Sequence, residues 1–243
     1  MKPLLLLIPG MMNTAAVFDA ARAALRVDAD VRVADVRGPA RIADMAAHCW
    51  AALADLPAAQ PLVLAGYSMG GYVALQMLAT APRPVQGLGM ICSSARADTE
   101  AGAQNRRRAM AAMARDFSAF ATMLSAHLAS AGRQDDTTLL TPVRAAMLAV
   151  GLDDALRQQQ AAANRIDQRP LLPGLALAAE IIGGAADNLV PPDASAEMAG
   201  LIPGATLTLM PGIGHLLPWE QPTELAQCLD RLLRTATHQG VSA

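Results

Sequence analysis

The chain has 243 residues, 53% of them hydrophobic, 16% charged and 3% aromatic, and its 19 basic and 21 acidic side chains leave a formal net charge of −2. So apolar a composition excludes disorder, and the balanced charge offers no footprint for nucleic acid or an anionic membrane. No apolar run approaches the roughly 18 residues of a membrane span, and the length suits one α/β domain carrying an insertion.

The first element is the apolar run Leu4–Ile8, which predicts a strand buried on both faces. Met1-Lys2-Pro3 before it imitates a secretory leader, but the run is shorter than the roughly 7–15 residues such a leader needs. Pro9-Gly10 then breaks it, so a cytoplasmic protein is expected. Next come a helix-like stretch (Ala16–Leu25), a second strand (Val31–Ala34) and a helix (Ile42–Leu56). Leu62, Val63, Leu64 and Ala65 form another buried strand, which enters Gly66-Tyr67-Ser68-Met69-Gly70 and then the helical run Tyr72–Leu78. Val85–Ile91 is the next strand, and Cys92-Ser93-Ser94 ends it. Alternating strands and helices predict a parallel sheet covered on both faces.

From about Asp98 to Arg169 the strand signals stop. Met110, Met113, Phe117, Ala121, Leu124 and Leu128 recur at spacings of three or four, as on one face of a helix, and Pro142–Val150 and Asp153–Ala163 read as two more helices. Alternation resumes with a strand (Leu175–Ile182), a helix (Ala194–Leu201), a strand (Thr206–Leu209) and a helix (Glu224–Leu233). The three cysteines, Cys49, Cys92 and Cys228, are odd in number, lie in apolar contexts and lack metal or redox spacing. Buried free thiols are therefore expected.

Gly-x-Ser-x-Gly between a strand and a helix has a specific physical use. So tight a turn forces its central residue into strained backbone angles and lifts the Ser68 hydroxyl beside a helix N-terminus, where free N–H groups favour negative charge. A serine needs a neighbouring base. Of four histidines, His48 sits on an amphipathic helix, His127 lies in the insertion and His238 in a polar tail. His215 follows a strand, in Gly212-Ile213-Gly214-His215-Leu216-Leu217-Pro218-Trp219-Glu220-Gln221-Pro222. A carboxylate that orients it should follow a strand too. Asp187, in Gly183-Gly184-Ala185-Ala186-Asp187-Asn188-Leu189-Val190-Pro191-Pro192, fits; Asp98 is the rival, and Asp193 reads as a first-turn helix residue.

These stretches together resemble the α/β-hydrolase superfamily over nearly the whole chain. Gly66–Gly70 looks like its nucleophile elbow, and Gly214-His215 followed by Glu220-Gln221-Pro222 is similar to its histidine loop. The resemblance implies a single α/β-hydrolase domain over 1–243, a mostly parallel sheet flanked by helices, with residues 98–169 as a helical lid. The β-hairpin that usually precedes the first strand has no counterpart here, so one sheet edge should be short. The implied activity is that of a serine hydrolase cleaving short or medium acyl esters, with the catalytic residues Ser68, Asp187 and His215. The implied oxyanion donors are the backbone N–H groups of Met11 and Met69. Where the family usually has His-Gly, this chain has Pro9-Gly10. Dehalogenases and epoxide hydrolases of the family need Asp where Ser68 stands.

No cofactor and no metal is implied, and the partner is a small acyl substrate; the oligomeric state is left open. With aromatics at 3% and 13 methionines, the pocket should be aliphatic and adaptable. An aminopeptidase would want an acidic lid residue, but Asp116, Asp135, Asp136 and Asp153 read as solvated. Arg106-Arg107-Arg108 could meet an acidic carrier protein, although a solvated face is the plainer reading. A carbon–carbon bond hydrolase or lyase, or a ligand sensor with little turnover, are the alternatives of the same fold.

Overall fold

The computed structural model describes residues 1–239. Six strands form one sheet: β1 (Leu4–Ile8), β2 (Asp30–Val33), β3 (Leu62–Tyr67), β4 (Gly87–Ile91), β5 (Ala178–Gly184) and β6 (Thr206–Met210). Their spatial order is β2-β1-β3-β4-β5-β6, and every neighbouring pair is parallel. The order reverses between β1 and β3, where the loops leaving the two strand ends diverge. In open α/β sheets that crevice is where ligands bind.

The helices are α1 (Asp19–Ala24), α2 (Ile42–Ala51), α3 (Met69–Ala79), α4 (Glu100–Arg115), α5 (Phe117–Leu128), α6 (Thr137–Val150), α7 (Leu152–Ala163), α8 (Pro192–Leu201), α9 (Leu217–Glu220) and α10 (Pro222–Gln239). Alternate side chains of β1 go to opposite faces, as the two-residue strand period requires. Leu4, Leu6 and Ile8 pack with α2, α3 and α8, while Leu5 and Leu7 pack with Phe18, Ala21 and the Leu225–Leu233 stripe of α10. A third apolar cluster joins α4–α7 to Met12 and Leu216, which lie on the loops after β1 and β6. The inserted helices thus sit on the carboxyl ends of the strands. No described helix is long and apolar enough to cross a membrane.

Several element bounds differ from the sequence reading. The Ala16–Leu25 stretch is a 3₁₀ turn, Ala15–Phe18, running into α1, because Thr14 Oγ accepts from the Ala16 N–H and tightens the first turn. The helix predicted to Leu56 ends at Ala51 and continues as three-residue turns (Leu53 N–H to Trp50, Leu56 N–H to Leu53) ahead of Pro57. Pro142 does not start a helix but lies inside α6, which begins at Thr137 because Asp136 caps it through the Leu139 N–H. The strand predicted from Leu175 begins at Ala178. Leu175 still belongs to the exit of the 3₁₀ turn Arg169–Gly174, its N–H donating to Leu172 O at 3.2 Å, so the ladder starts three residues later.

Candidate active site

Ser68 stands between β3 and α3 with φ 51° and ψ −117°, a conformation that costs a non-glycine residue of order 1–3 kcal/mol. The surroundings hold it there. Its N–H donates to Ile91 O at 2.8 Å, and its carbonyl accepts from Ser93 Oγ at 2.8 Å and the Gly71 N–H at 3.0 Å. The flanking glycines are there for space. A Cβ on Gly66 would lie 2.3 Å from Gly70 O, and one on Gly70 would lie 2.0 Å from Ile8 O.

His215 Nε2 is 3.0 Å from Ser68 Oγ, and His215 Nδ1 is 2.7 Å from Asp187 Oδ2. Asp187 and His215 are each 4% exposed, while Ser68 is partly open. The other Asp187 oxygen accepts from the N–H groups of Leu189 and Val190, both at 2.9 Å. With one oxygen so occupied, the carboxylate presents the other to the imidazole. The backbone around His215 is tied at three successive points. Gly214 N–H donates to Ser130 Oγ at 2.8 Å, Tyr67 Oη–H donates to His215 O at 2.9 Å, and Leu216 N–H donates to Leu128 O at 3.3 Å. Glu220, also buried, accepts from Ser130 N–H at 2.9 Å and from the Ser130 hydroxyl.

Asp98, the rival acid, lies elsewhere. It pairs with Arg106 at 2.8 Å and Arg165 at 3.2 Å, where the insertion joins the sheet. Arg165 stacks on the Tyr72 ring, 4.6 Å from its centroid. Arg106 also donates to Gln159 Oε1 at 2.9 Å, so it faces inward, and only Arg107 and Arg108 of the basic triplet are exposed. His48, His127 and His238 are all exposed on helices, and among the described residues His215 is the histidine bonded to Ser68. Asp116 and Asp136 cap α5 and α6. Asp193, in the first turn of α8, pairs with Arg96 at 2.9 Å.

Met69 opens α3, and its N–H faces no acceptor among the described residues; the same holds for the Met11 N–H after β1. The next residue differs. Met12 has φ 56°, and its N–H donates to Oε1 of Gln158 at 2.8 Å. Pairing β1 with β3 sets Ile8 beside Gly66, so the two loops start side by side before they part, and a Cβ on Gly10 would lie 3.1 Å from Ser68 Cβ.

Cys92 Sγ, an Asp187 oxygen and a His215 ring nitrogen lie within 4.8 Å of one another. Burial, and then the Asp187 carboxylate beside it, push this thiol well above the usual cysteine range. A metal ligand would have to be thiolate, and both neighbours already have partners, so the set is poorly suited to a metal. Burial likewise pushes the Tyr67 phenol up, keeping it a neutral donor.

Tyr67, Ser130 and Gln158 support this constellation and were not singled out from the sequence, while Glu220 was read only as part of the histidine loop and not for its bonds to Ser130. For Gln158 a signal existed: with Ala155 and Ala162 it falls on one helical stripe, and the whole stripe is buried.

The family described as alpha/beta hydrolase fold matches residues 3–222. No curated protein matches the chain. Among solved structures, a thermophilic esterase from Thermogutta terrifontis is similar at 26% identity and TM-score 0.85, with 97% of this chain and 91% of that chain covered. A hydrolase from Pseudomonas aeruginosa PA01 is similar at 23% identity and TM-score 0.81, with 96% and 90% covered. An enol-lactonase from Burkholderia xenovorans LB400 is similar at 19% identity and TM-score 0.83, with 96% and 92% covered. The parallel sheet with its switch point, the strained serine between β3 and α3 and the match over residues 3–222 agree, and the chain belongs to the α/β-hydrolase family.

Proposed function

We propose that the protein is a serine esterase that cleaves carboxylic esters of short or medium acyl chain. One observation carries the reading: an unbroken line of contacts from Ser68 Oγ to His215 Nε2 at 3.0 Å and from His215 Nδ1 to Asp187 at 2.7 Å. In this reading Ser68 attacks the ester carbonyl while His215 takes its proton, and Asp187 holds the imidazole in the tautomer with hydrogen on Nδ1. The tetrahedral oxyanion is met by the N–H groups of Met11 and Met69, each worth about 2.7–4 kcal/mol in known cases. His215 returns the proton to the leaving alcohol, and water then cleaves the acyl-enzyme by the same route.

The similarity to an esterase at 26% identity supports this chemistry. Chain length is argued from the walls. Met11, Met12, Met113, Phe117, Phe120 and Leu124 gather between the insertion and the loop after β1. Thioether chains repack around modest acyl groups of varied shape. A crevice beside His215, bounded by His127, Leu128, Asn188 and Leu189, holds only about 10 Å³, roughly one water. In this reading residues 98–169 act as a lid over the carboxyl ends of the strands.

Purified protein assayed on p-nitrophenyl esters from acetate to decanoate tests the proposal. Multiple turnover peaking at short or medium chains and lost in Ser68→Ala is expected. Turnover confined to a carbon–carbon cleavage substrate, or stopping after one equivalent, would replace it with a lyase or a sensor.

A further inference from the structure

We propose that Gln158 is a substrate-contacting specificity residue as well as the support of the oxyanion loop: its free amide N–H₂ selects esters that carry a second hydrogen-bond acceptor near the scissile carbonyl. The inference rests on the esterase reading and specifies its substrate class.

Gln158 projects from α7 and is 0% exposed, and its Oε1 accepts from the Met12 N–H across 146 residues of chain. Met12, itself 1% exposed, holds the left-handed backbone (φ 56°) that a side chain with a Cβ adopts only at a cost. The bond thus pins a strained residue next to the Met11 N–H, which has no acceptor among the described residues. One end of the amide is thereby fixed. The other end, Nε2, is buried and has no hydrogen-bond partner among the described residues. A buried amide nitrogen without a partner is costly, and native chains satisfy the great majority of such groups. Because the two ends share one rigid plane, Nε2 lies beside the loop that meets the ester oxyanion. An acceptor supplied by substrate in that place would satisfy it. Selection follows from the same cost, since an ester lacking the acceptor leaves the donor unpaired in the transition state.

The chemistry required is an ether, carbonyl or hydroxyl oxygen a few bonds from the ester carbon, on its acyl or its alcohol side. Neighbouring polar groups do not compete for this role. Gln159 is occupied by Arg106, and Ser130 by Glu220 and Gly214.

Two isosteric ester pairs test the proposal. p-Nitrophenyl methoxyacetate against p-nitrophenyl butyrate places the oxygen on the acyl side; 2-methoxyethyl butyrate against butyl butyrate places it on the alcohol side. kcat/KM is measured for each in the wild type, in Gln158→Met and in Gln158→Leu. Taking the ratio within a pair, and then between proteins, cancels intrinsic reactivity and any shared loss from a loosened Met12 loop. That shared loss is read separately, as a fall in kcat on butyrate with KM little changed. The preference for the oxygen-bearing ester should fall by about tenfold in both variants, in at least one pair. Ratios unmoved within twofold in both pairs, with wild-type turnover intact, overturn the proposal alone. No wild-type turnover of any of the four esters overturns the esterase reading and this inference together. Gln158→Leu carries the test if Gln158→Met does not fold.

Discussion

The Tyr67 hydroxyl, one residue before the serine, donates to the backbone carbonyl of His215 at 2.9 Å, and the two rings lie tilted with centroids 5.4 Å apart. The strand that carries Ser68 therefore also sets the height of His215. Tyr67→Phe keeps the packing and removes only the donor. It should lower kcat about tenfold with little change in KM, and stability by about 1–2 kcal/mol. Steady-state kinetics with a thermal melt check it; unchanged kcat would mean that the other ties to the loop suffice.

Asp187 and Asp98 should separate chemistry from stability. Asp187→Asn presents an amide to His215 Nδ1 and favours the wrong tautomer, so kcat should fall by roughly 10⁴ with the fold retained. Asp98→Asn breaks a pairing with Arg106 and Arg165 whose side chains are 21% and 11% exposed. It should cost about 2–4 kcal/mol of stability while kcat at low temperature stays within a few-fold. The opposite pattern in urea melts and kinetics would move the acid to Asp98.

Replacing the Met69 amide by an ester, through a 2-hydroxy acid at that position, deletes one N–H. If that donor meets the oxyanion, kcat should fall about 10²–10³ with KM nearly constant. Met69→Leu, which keeps the N–H, should retain most activity. Equal losses from both changes would assign the effect to the pocket wall.

All three cysteines are free and buried. Burial raises each pKa, that of Cys49 to about 12, so the thiolate fraction at pH 8 lies below that of an exposed cysteine. Native protein should consume almost no Ellman reagent over minutes at pH 8, and three equivalents once unfolded. Rapid native reaction would contradict the burial of one of them.

Much of the sheet and its centre was legible because its signals are local. Leu4–Ile8 reads as a strand with the bounds it has, since its five residues are apolar and Pro9 closes it. Ser68 was legible because a strand, a serine between glycines and a helix lie within one short stretch. What stayed hidden depends on contacts between distant residues. Nothing near Gln158 in sequence announces Met12, and Ser130 meets Glu220 only after α5 and the histidine loop have packed together. Asp98 stood as the rival to the preferred Asp187 because both follow strands; Arg106 and Arg165, which claim it, come later in the chain. Pro142 misled because a cap at Asp136 outweighs the usual preference of proline for a first turn.

The central claim is that Ser68 is the activated nucleophile. Its most direct test is to treat native protein with a fluorophosphonate and find the adduct by peptide mapping. One adduct per chain is expected, on Ser68, forming in the wild type and absent from Ser68→Ala; the rate should fall steeply in His215→Ala, which removes the base 3.0 Å away. Labelling at another residue, or labelling that persists in Ser68→Ala, would contradict the account.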